Sequence, residues 1–400
     1  MKYKLKNIGK VVSGGTPSTK RPEYYAKKGI GWITPKDLSG YHNKYIFHGK
    51  RDISKLGLDH SSAKLIPTNS ILISSRAPIG YVAIAGNTLA TNQGFKSIVP
   101  DTSKVLPDYL YYLMLTNKGR LEQVASGSTF KEVSGKTMQE LEVDIPSLDK
   151  QNRVISKLNP IIEKLESNNR INDNLLELAK TKFRQTYLLP TDEFKKIPNG
   201  WHITSFSKIM TFSNGHNFKG NEMLKKYEPL TYKVFKQGNI LIGGGLNELG
   251  TKSWIKKSKV TKLNKYVLKK WDLLMAMTDM KNKVAILGNT ALMNRSNQYI
   301  LNQRVGLIRS NNYNGLSSAY LFLLTNSKPF LYSIRSRAHS GVQVNLSSKE
   351  IRDTDVIIAP KKVNDKFNIF VKPIFERIMA NQLENLTLNE LKQTLLNRLF

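Results

Sequence analysis

The stretch GLNELGTK, from Gly245 to Lys252, is the nearest approach in this chain to a phosphate-binding loop. A P-loop needs G-x-x-x-x-G-K-[ST], so that backbone amides cradle the phosphates and the lysine directly follows the second glycine. Here Thr251 separates the glycine from the lysine, which moves the lysine out of register. Glu248 also occupies the third glycine position of a dinucleotide-binding pattern. The sequence therefore predicts a glycine-rich loop at this point and no nucleotide site.

Other catalytic patterns are also incomplete. A DNA amino-methyltransferase holds a flipped base with a tetrapeptide that contains Pro-Pro, and no Pro-Pro pair occurs. Glu193 and Lys195 form an isolated E-x-K, for which a solvated charge pair is the preferred interpretation over a nuclease site. The six histidines show no metal-ligand spacing, and the absence of cysteine excludes thiolate zinc sites and thiol nucleophiles. We expect no catalytic site, metal site or cofactor in this chain.

The charge balance indicates nucleic acid as the partner. Lys and Arg number 62 against 30 Asp and Glu, and the net charge of +32 would repel itself unless a polyanion lay against it. Bases are read by Arg, Lys, Asn, Gln, Ser and Thr on loops that reach a groove, although at least half of such contacts go to phosphate and sugar. The DNA-contact candidates in the first half are Thr16, Ser18, Lys20, Arg21, Lys36, Arg76, Ser128, Thr129 and Lys131. The candidates in the second half are Asn217, Lys219, Asn247, Lys252, Lys281, Asn282, Lys283, Arg337, His339 and Gln343.

Similar strings recur in the two halves of the chain in the same order. VAIAGNT at 82–88 returns as VAILGNT at 284–290, TNQG at 91–94 as LNQR at 301–304, and YLYYLMLTN at 109–117 as YLFLLTN at 320–326. Chance matches would not keep their order, so we infer a tandem duplication. Gln93 and Gln303 lie in one of the repeated strings, and we interpret them as structural because a shared residue cannot explain two different specificities.

Each half divides into the same two parts. The first mixes short β-type runs with helix and is rich in turn residues, which predicts an α/β (mixed α+β) domain. Strands are expected at 70–74, 80–85, 95–99, 240–242, 284–287 and 305–308, and helices at 107–122 and 317–335. The second part has the heptad spacing of a long helix, with a break or kink expected at Pro160 and Pro373. The predicted boundaries are 1–148 and 191–359 for the two globular domains, and 149–190 and 360–400 for the two helices.

The heptad seam predicts that the two helices pair with each other. Its residues are Ile155, Leu158, Ile162, Leu165, Asn169, Asn172, Leu176, Phe183, Ile374, Ile378, Asn385, Leu388, Leu391 and Leu395. The asparagines lie near the midpoint of each helix, where facing polar layers would fix the register at some cost in stability. Connectivity favours an antiparallel, pseudo-two-fold coiled-coil pair. The alternative is that each helix packs on its own domain.

Over its full length the chain resembles the specificity subunits of type I restriction-modification enzymes. The matching strings are SGGTPS (13–18), GWITPKDL (31–38), SSRAPIG (74–80), TNQGFK (91–96), SGSTFKEVS (126–134), IPSLDKQNRVISKL (145–158) and INDNLLELAKTKF (171–183). In the second half SNGHNF (213–218) replaces SGGTPS, and the sequence around 277–284 has diverged from SSRAPIG. Divergence at matching loops implies that the two domains read different bases.

The resemblance implies a non-catalytic DNA reader with two target-recognition domains on a helical spacer. Such a subunit binds an asymmetric bipartite site, and its half-sites would lie about one helical turn, roughly 34 Å, apart. Two methyltransferase subunits are expected on the helices, with restriction-translocase subunits added for cleavage, and the methyl donor, ATP and Mg belong to those partners. No apolar run is long enough for a signal peptide or a membrane span, so we expect a cytoplasmic protein. The alternative is a stand-alone nucleic-acid-binding scaffold, or a nuclease with an unrecognised active site.

Overall fold

The computed structural model describes residues 1–127, 131–188, 197–280, 284–340 and 343–400, with only the backbone of residues 339 and 340. Contacts divide the chain into two units. The first comprises Met1–Asn169 and Asn385–Phe400, and the second comprises Arg170–Glu384. Both units mix sheet with helix, which confirms the predicted fold class.

In the first unit, short strands alternate with short helices before one long helix begins. The strands are β1 Lys2–Lys4, β2 Gly9–Ser13, β3 Tyr25–Ala26, β4 Ile30–Ile33, β5 Tyr45–Ile46, β6 Arg51–Ile53, β7 Leu65–Ile66, β8 Ile71–Ile73, β9 Val82–Ala85, β10 Leu89–Thr91, β11 Lys96–Pro100 and β12 Glu142–Asp144. The helices are α1 Lys55–Asp59, α2 Pro107–Thr116, α3 Lys118–Val124, α4 Gly135–Glu140 and α5 Leu148–Tyr187. The sheets have the orders β3-β6-β4-β10-β7, β2-β11-β8-β9-β5 and β1-β12.

The sheet β2-β11-β8-β9-β5 of the first unit is buried on both faces. Along β8, Ile71 and Ile73 lie in the core that contains α2, whereas Leu72 lies in a second core with Ile33 of β4. Successive strand residues point to opposite faces, so a run of apolar residues can serve both cores at once. The unit is therefore layered as helix, sheet and sheet.

The second unit repeats this plan with different strand lengths. Its strands are β13 His202–Ser205, β14 Met210–Asn214, β15 Thr231–Phe235, β16 Trp254–Lys256, β17 Leu273–Ala276, β18 Thr278–Met280, β19 Thr290–Leu292, β20 Tyr299–Leu301, β21 Val305–Ser310, β22 His339–Ser340, β23 Gln343–Asn345 and β24 Asp355–Ile358. Its helices are α6 Phe206–Ile209, α7 Ser318–Thr325, α8 Lys328–Ser336, α9 Ser348–Arg352 and α10 Lys361–Leu399. The order β2-β11-β8-β9 recurs as β14-β21-β17-β19, and the parallel pair β4-β10 recurs as β15-β20.

Two of the predicted strands are wrong. Ile240 forms only an isolated bridge with Leu246, and residues 284–287 form no strand. The strand beside β17 is β19, so VAILGNT is not the structural equivalent of VAIAGNT. The physical reason is that the Asp279 carboxylate accepts hydrogen bonds from the backbone amides of residues 285–287, at 2.7, 2.6 and 3.1 Å. Those amides are therefore not available to a strand ladder.

The helical predictions also need correction. The segments 107–122 and 317–335 are each two helices, α2 with α3 and α7 with α8, rather than one. In the second unit Pro329 stands in the first turn of α8, where its missing N–H costs nothing and favours a new start. By contrast, α5 and α10 continue through Pro160 and Pro373 without a break.

The two long helices pair antiparallel within each unit. In the first, Asn385 donates to Asn169 (2.8 Å) and accepts from Asn168 (2.9 Å). Leu396, further along α10, lies in the same core as Leu158, which precedes Asn168 in α5. In the second unit Asn381 donates to Asn172 (2.8 Å), and Tyr187 donates to Asn364 (2.9 Å). As the residue numbers of the contacting residues increase along one helix, they decrease along the other. The two helices therefore run in opposite directions.

Most residues of the predicted seam lie at this pairing or in the adjoining cores. Leu158, Ile162, Leu165, Phe183, Ile374 and Ile378 are buried, and Ile155, Asn169, Asn172, Leu176, Asn385, Leu388 and Leu395 are partly buried. Leu391 is the exception, because it is 46% exposed. From Leu388 the seam steps four residues to Lys392, not three to Leu391. Alternating steps of three and four residues lead from Asn385 through Leu388 to Lys392 and Leu395, so the predicted seam, which took two steps of three in succession, placed this leucine on the wrong face.

Candidate nucleic-acid interface

Each unit has a turn that begins with Asn-Gln and joins loops from distant parts of the sequence. We call residues 92–94 and 302–304 the NQ turns. In the first unit, the amide of Asn92 donates to the carbonyl of Ile33 (2.9 Å), and the amide of Ser75 donates to the carbonyl of Gly94 (2.7 Å). The amide of Val133 donates in turn to Ser75 (3.0 Å). The NQ turn thus connects the loops after β4, after β8 and before α4.

The second unit repeats these bonds one for one. Their backbone donors and acceptors are Asn302 to Phe235 (3.1 Å), Met277 to Arg304 (3.3 Å) and Leu346 to Met277 (2.9 Å). The divergent loops of the two units are therefore held on one common backbone frame.

A repeated glycine brings a further loop to each frame. A Cβ on Gly14 would lie 2.0 Å from the carbonyl oxygen of Asn92, and a Cβ on Gly215 would lie 2.1 Å from that of Asn302. No other residue type can occupy either position without moving the backbone, since real Cβ atoms do not approach so closely. This close approach explains why SGGTPS and SNGHNF share a glycine although the rest of the two loops differs.

In the first unit the frame brings several candidates together. Thr16 donates to the Oε1 of Gln93. Lys36 is exposed and follows Pro35, which packs over Gly94. Arg76 lies 3.1 Å from Glu132, beside the exposed Lys131. The loops that carry Thr16, Lys36, Arg76 and Lys131 therefore converge on one NQ turn.

The remaining first-unit candidates lie further along the loop that follows Gly14, or lie outside the described residues. Ser18, Lys20 and Arg21 are exposed on the loop that follows Gly14, and Arg21 is 3.4 Å from Glu23. Ser128 and Thr129 lie outside the described residues.

The second-unit candidates divide into three groups. Gln343 accepts from Arg304 at 3.4 Å, so it lies at the NQ turn, and Asn217 and Lys219 are exposed on the loop that follows Gly215. Lys252 is also exposed, after the loop that carries Asn247. Lys281, Asn282 and Lys283 lie outside the described residues, as does the side chain of His339.

Two candidates are occupied by contacts within the protein. Asn247 donates its side-chain amide to the carbonyl of Gly238 (3.1 Å) and accepts from the amide of Leu249 (3.2 Å), which gives it a role in holding its own loop. Arg337 donates to the carbonyl of Asp353 (3.1 Å) and lies 4.0 Å from the Asp355 carboxylate. The structure therefore provides no support for either as a base reader.

The structure also places at the frame residues that sequence reasoning did not select. Arg304 is exposed in the second NQ turn, where it stands at the position of Gly94 in the repeat TNQG/LNQR. That replacement was the available sequence signal. Asp279 gave no such signal. Burial raises its pKa, but the backbone amides of Ile286, Met280, Leu287 and Ala285 outweigh burial and lower the pKa below its ordinary value. Its charge therefore holds the backbone of Met280 and of residues 285–287 in place.

A buried charged cluster fastens the first globular region to α5. The ammonium group of Lys44, only 5% exposed, lies 2.8 Å from Asp108 and 2.9 Å from the Oδ1 of Asn159 on α5. Tyr45 and Tyr112 donate to Asp108 and Asn159 respectively. Burial raises the pKa of Asp108, but hydrogen bonds from Lys44 and Asn159 outweigh it, so the net pKa is lowered. Burial and then Asp108 raise the pKa of Tyr45 to about 12.

A second cluster fastens the other globular region to α10. Glu248 accepts from Arg295 at 2.6 and 3.0 Å, from Asn294 at 3.1 Å, and from Tyr299. Asn294 also donates to Gln382 of α10 (3.1 Å). Burial would raise the pKa of Glu248, but the bonds from Arg295 outweigh it and lower the pKa. Each globular region is thus joined to a long helix by a polar network.

Two negative findings hold for the described part of the chain. No group of three or more His, Cys, Asp or Glu there could hold a metal ion. No helix there is long and apolar enough to cross a membrane.

Comparison with known proteins gives consistent results. A family model described as type I restriction modification DNA specificity domain matches residues 1–177. The type I restriction enzyme MjaIX specificity subunit of Methanocaldococcus jannaschii is 32% identical over 99% of this chain and 91% of its own length. The EcoR124I/EcoR124II specificity subunit of Escherichia coli is 28% identical over 38% of this chain and 39% of its own. The crystal structure of a type I restriction-modification S subunit from M. genitalium shares the fold, with a TM-score of 0.62 and 14% identity over 100% of this chain and 96% of that one.

The similarity to the M. jannaschii subunit spans both units and both helices, so it covers the duplicated frame as well as the first domain. It leaves the stand-alone scaffold or nuclease without support, because the specificity subunits of this family are non-catalytic. The chain belongs to the family of type I restriction-modification specificity subunits.

Proposed function

We propose that each unit binds one half of a bipartite DNA site through the loops gathered at its NQ turn. The observation that carries this proposal is that one backbone frame, repeated bond for bond, presents different side chains in the two units. A common frame gives both units the same way of approaching a duplex. Different side chains on it give an asymmetric site. The net charge of +32 supports binding to a polyanion.

We divide the DNA-contact candidates into two groups. Thr16, Lys36, Arg76, Lys131 and Gln343 are the preferred DNA contacts, because they lie on loops joined to an NQ turn. Ser18, Lys20, Arg21, Asn217 and Lys219 are exposed a few residues beyond Gly14 or Gly215, and Lys252 is exposed just before β16. We assign all six to phosphate contacts.

We propose that two methyltransferase subunits dock on the paired helices. The repeat places Glu177-Leu178 of α5 and Glu390-Leu391 of α10 at matching positions. Both leucines are exposed, by 48% and 46%, although they lie next to well-packed seams. An apolar residue exposed at the same place in both copies suits two identical partners. We assign the methyl donor, ATP and Mg to the methyltransferase and restriction-translocase subunits, and the complex to the cytoplasm.

The spacer is part of the same proposal. Residues 1–148 and 191–359 act as target-recognition domains, and 149–190 and 360–400 act as spacer helices. A DNA half-site spacing of about one helical turn suits two readers on one face of the duplex.

Methylation mapping of the assembled complex tests the DNA proposal. Cells that express the chain with its methyltransferase partner should methylate one bipartite sequence, and cells that lack the chain should not. Exchange of residues 1–148 for those of a relative should change one half-site and leave the other intact. A change in both half-sites, or methylation by the methyltransferase alone, would contradict the proposal.

Two further measurements address the partners. The substitution L178E/L391E should prevent co-purification of the methyltransferase while leaving the thermal unfolding midpoint unchanged, because both side chains are already exposed. The isolated chain should neither methylate nor cleave DNA when methyl donor, ATP and Mg are added. Cleavage by the pure chain would instead support the nuclease alternative.

A further inference from the structure

The second NQ turn contains a strained arginine where the first contains glycine. Arg304 has φ +68°, in the left-handed region that non-glycine residues adopt at a cost. The same turn in the first unit ends in Gly94, which is not in the left-handed region, so this backbone strain is particular to the second unit. Backbone strain of this kind persists where the side chain is needed for function. An arginine at this position therefore calls for a functional explanation.

The side chain of Arg304 is exposed and only partly engaged. Its Nη1 donates to the Oε1 of Gln343 at a long 3.4 Å, while its backbone carbonyl accepts from Met277 in the common frame. A guanidinium has five N–H donors, so among the described residues most of the donors of Arg304 remain available to an external acceptor. Arg309 of the same unit differs, because it donates to both carboxylate oxygens of Asp272, at 2.7 and 2.8 Å.

Asp279 of β18 is engaged by backbone amides and does not compete for Arg304. The Asp279 carboxylate accepts from the backbone amides of residues 280 and 285–287, which occupy its oxygens. Gln343, in contrast, restrains one edge of the guanidinium without neutralising it. A fixed backbone, one neutral side-chain contact and several unused donors leave the guanidinium ready for an external acceptor.

We propose that Arg304 reads a guanine in the half-site bound by the second unit. This inference rests on the proposed DNA-binding function and names one of its specificity-determining residues. Parallel donors of arginine match O6 and N7 of guanine in the major groove, which is the commonest specific contact between protein and DNA. Because Gly94 offers no side chain at the equivalent point, this contact is made by the second unit alone. It accounts for part of the difference between the half-sites.

Two variants of the full chain, each assembled with the methyltransferase, test the proposal. R304G removes the side chain and relieves the strained conformation, so the thermal midpoint should stay the same or rise. Binding to the natural site should weaken about tenfold or more, and discrimination should be lost at one base pair of the second half-site. R304K keeps the charge but not the paired donors, so it should also lose discrimination. K208A removes one exposed positive charge from α6 of the second unit and serves as the control, with little effect expected.

Three results would overturn the assignment. R304G could bind and methylate with unchanged specificity, R304G could lose affinity equally on all sequences, or R304K could discriminate as well as the natural chain. The second would indicate a phosphate contact, and the first and third would show that the paired donors of Arg304 do not provide the discrimination. All three leave the proposed function intact provided that the unsubstituted complex still methylates a bipartite site. Absence of sequence-specific methylation by that complex would instead refute the proposed function itself.

Discussion

The substitution K44M should destabilise the first unit strongly and in a pH-dependent way. It removes the ammonium group but keeps most of the apolar stem, so the main effect is an unpaired Asp108 that is 21% exposed. At 2.8 Å the Coulomb attraction is about 6 kcal/mol at an effective dielectric constant of about 20. Part of that attraction is offset by desolvation, and breaking a buried pair costs about 3–5 kcal/mol. We expect a loss of about 3 kcal/mol in unfolding free energy, near the lower end because Asp108 retains some solvent.

Differential scanning calorimetry can measure this loss. For a unit of this size, 1 kcal/mol shifts the midpoint by about 2–4 °C, so the expected decrease is about 6–12 °C at pH 7. K118M is the matched control, because Lys118 is 51% exposed and lies 3.9 Å from Glu122. Such surface pairs contribute less than about 1 kcal/mol.

The pH dependence gives a second, independent check. In the natural chain the pKa of Asp108 is lowered, so its stabilising contribution is present above its unfolded pKa of about 3.9 and is lost as pH falls through the folded value. Without Lys44, burial dominates and the folded pKa rises above the unfolded one. The variant therefore loses stability as pH rises from about 4. The difference between K44M and the natural chain should shrink at pH 4. A K44M midpoint within 2 °C of that of K118M at pH 7, or a pH-independent difference, would refute this reasoning.

Three further predictions concern the second unit, the helix pair and DNA. E248Q should lower the stability of the second unit by about 3 kcal/mol in calorimetry, because Arg295 would lose its buried carboxylate partner; a loss below 1 kcal/mol would contradict this role. N381L should lower the free energy of unfolding in urea by about 1–3 kcal/mol, because it leaves Asn172 unsatisfied. N172L/N381L should recover most of that loss, because both partners then become apolar. Additive losses would argue against the pairing. The DNA affinity of the methyltransferase complex should fall linearly with salt on logarithmic axes; a flat titration would count against the basic reading surfaces.

The duplication and the two long helices of this protein can be recognised from the sequence alone. Duplication appears as ordered strings, and the two long helices appear as apolar and asparagine positions at helical spacing. Both signals are local or periodic, so no knowledge of distant contacts is needed. The pairing of Asn168 and Asn169 with Asn385 follows from the same periodicity, since both helices carry their polar layer near the midpoint.

The strand assignments show where such reasoning stops. VAIAGNT and VAILGNT are nearly identical, yet only the first forms the strand beside its partner, because Asp279 occupies three amides of the second. Leu391 failed for a smaller reason, a step of four residues in place of three. The position of Leu391 could have been obtained from strict three-four spacing, whereas the hydrogen bonds of Asp279 could not be obtained from composition or spacing.

By itself the sequence determined a duplicated, basic protein with two helices, together with the glycines and asparagines of its repeated turns. Only the tertiary structure decided which loops share an NQ turn, that Asn247 and Arg337 are engaged within the protein, and that Arg304 lies strained and exposed beside Gln343. It alone joined Lys44 to Asp108 and Asn159. The contacts of Arg304 and Lys44 connect residues 39 to 115 positions apart. Their partners are selected by the packing of whole sheets and helices, which no local pattern records.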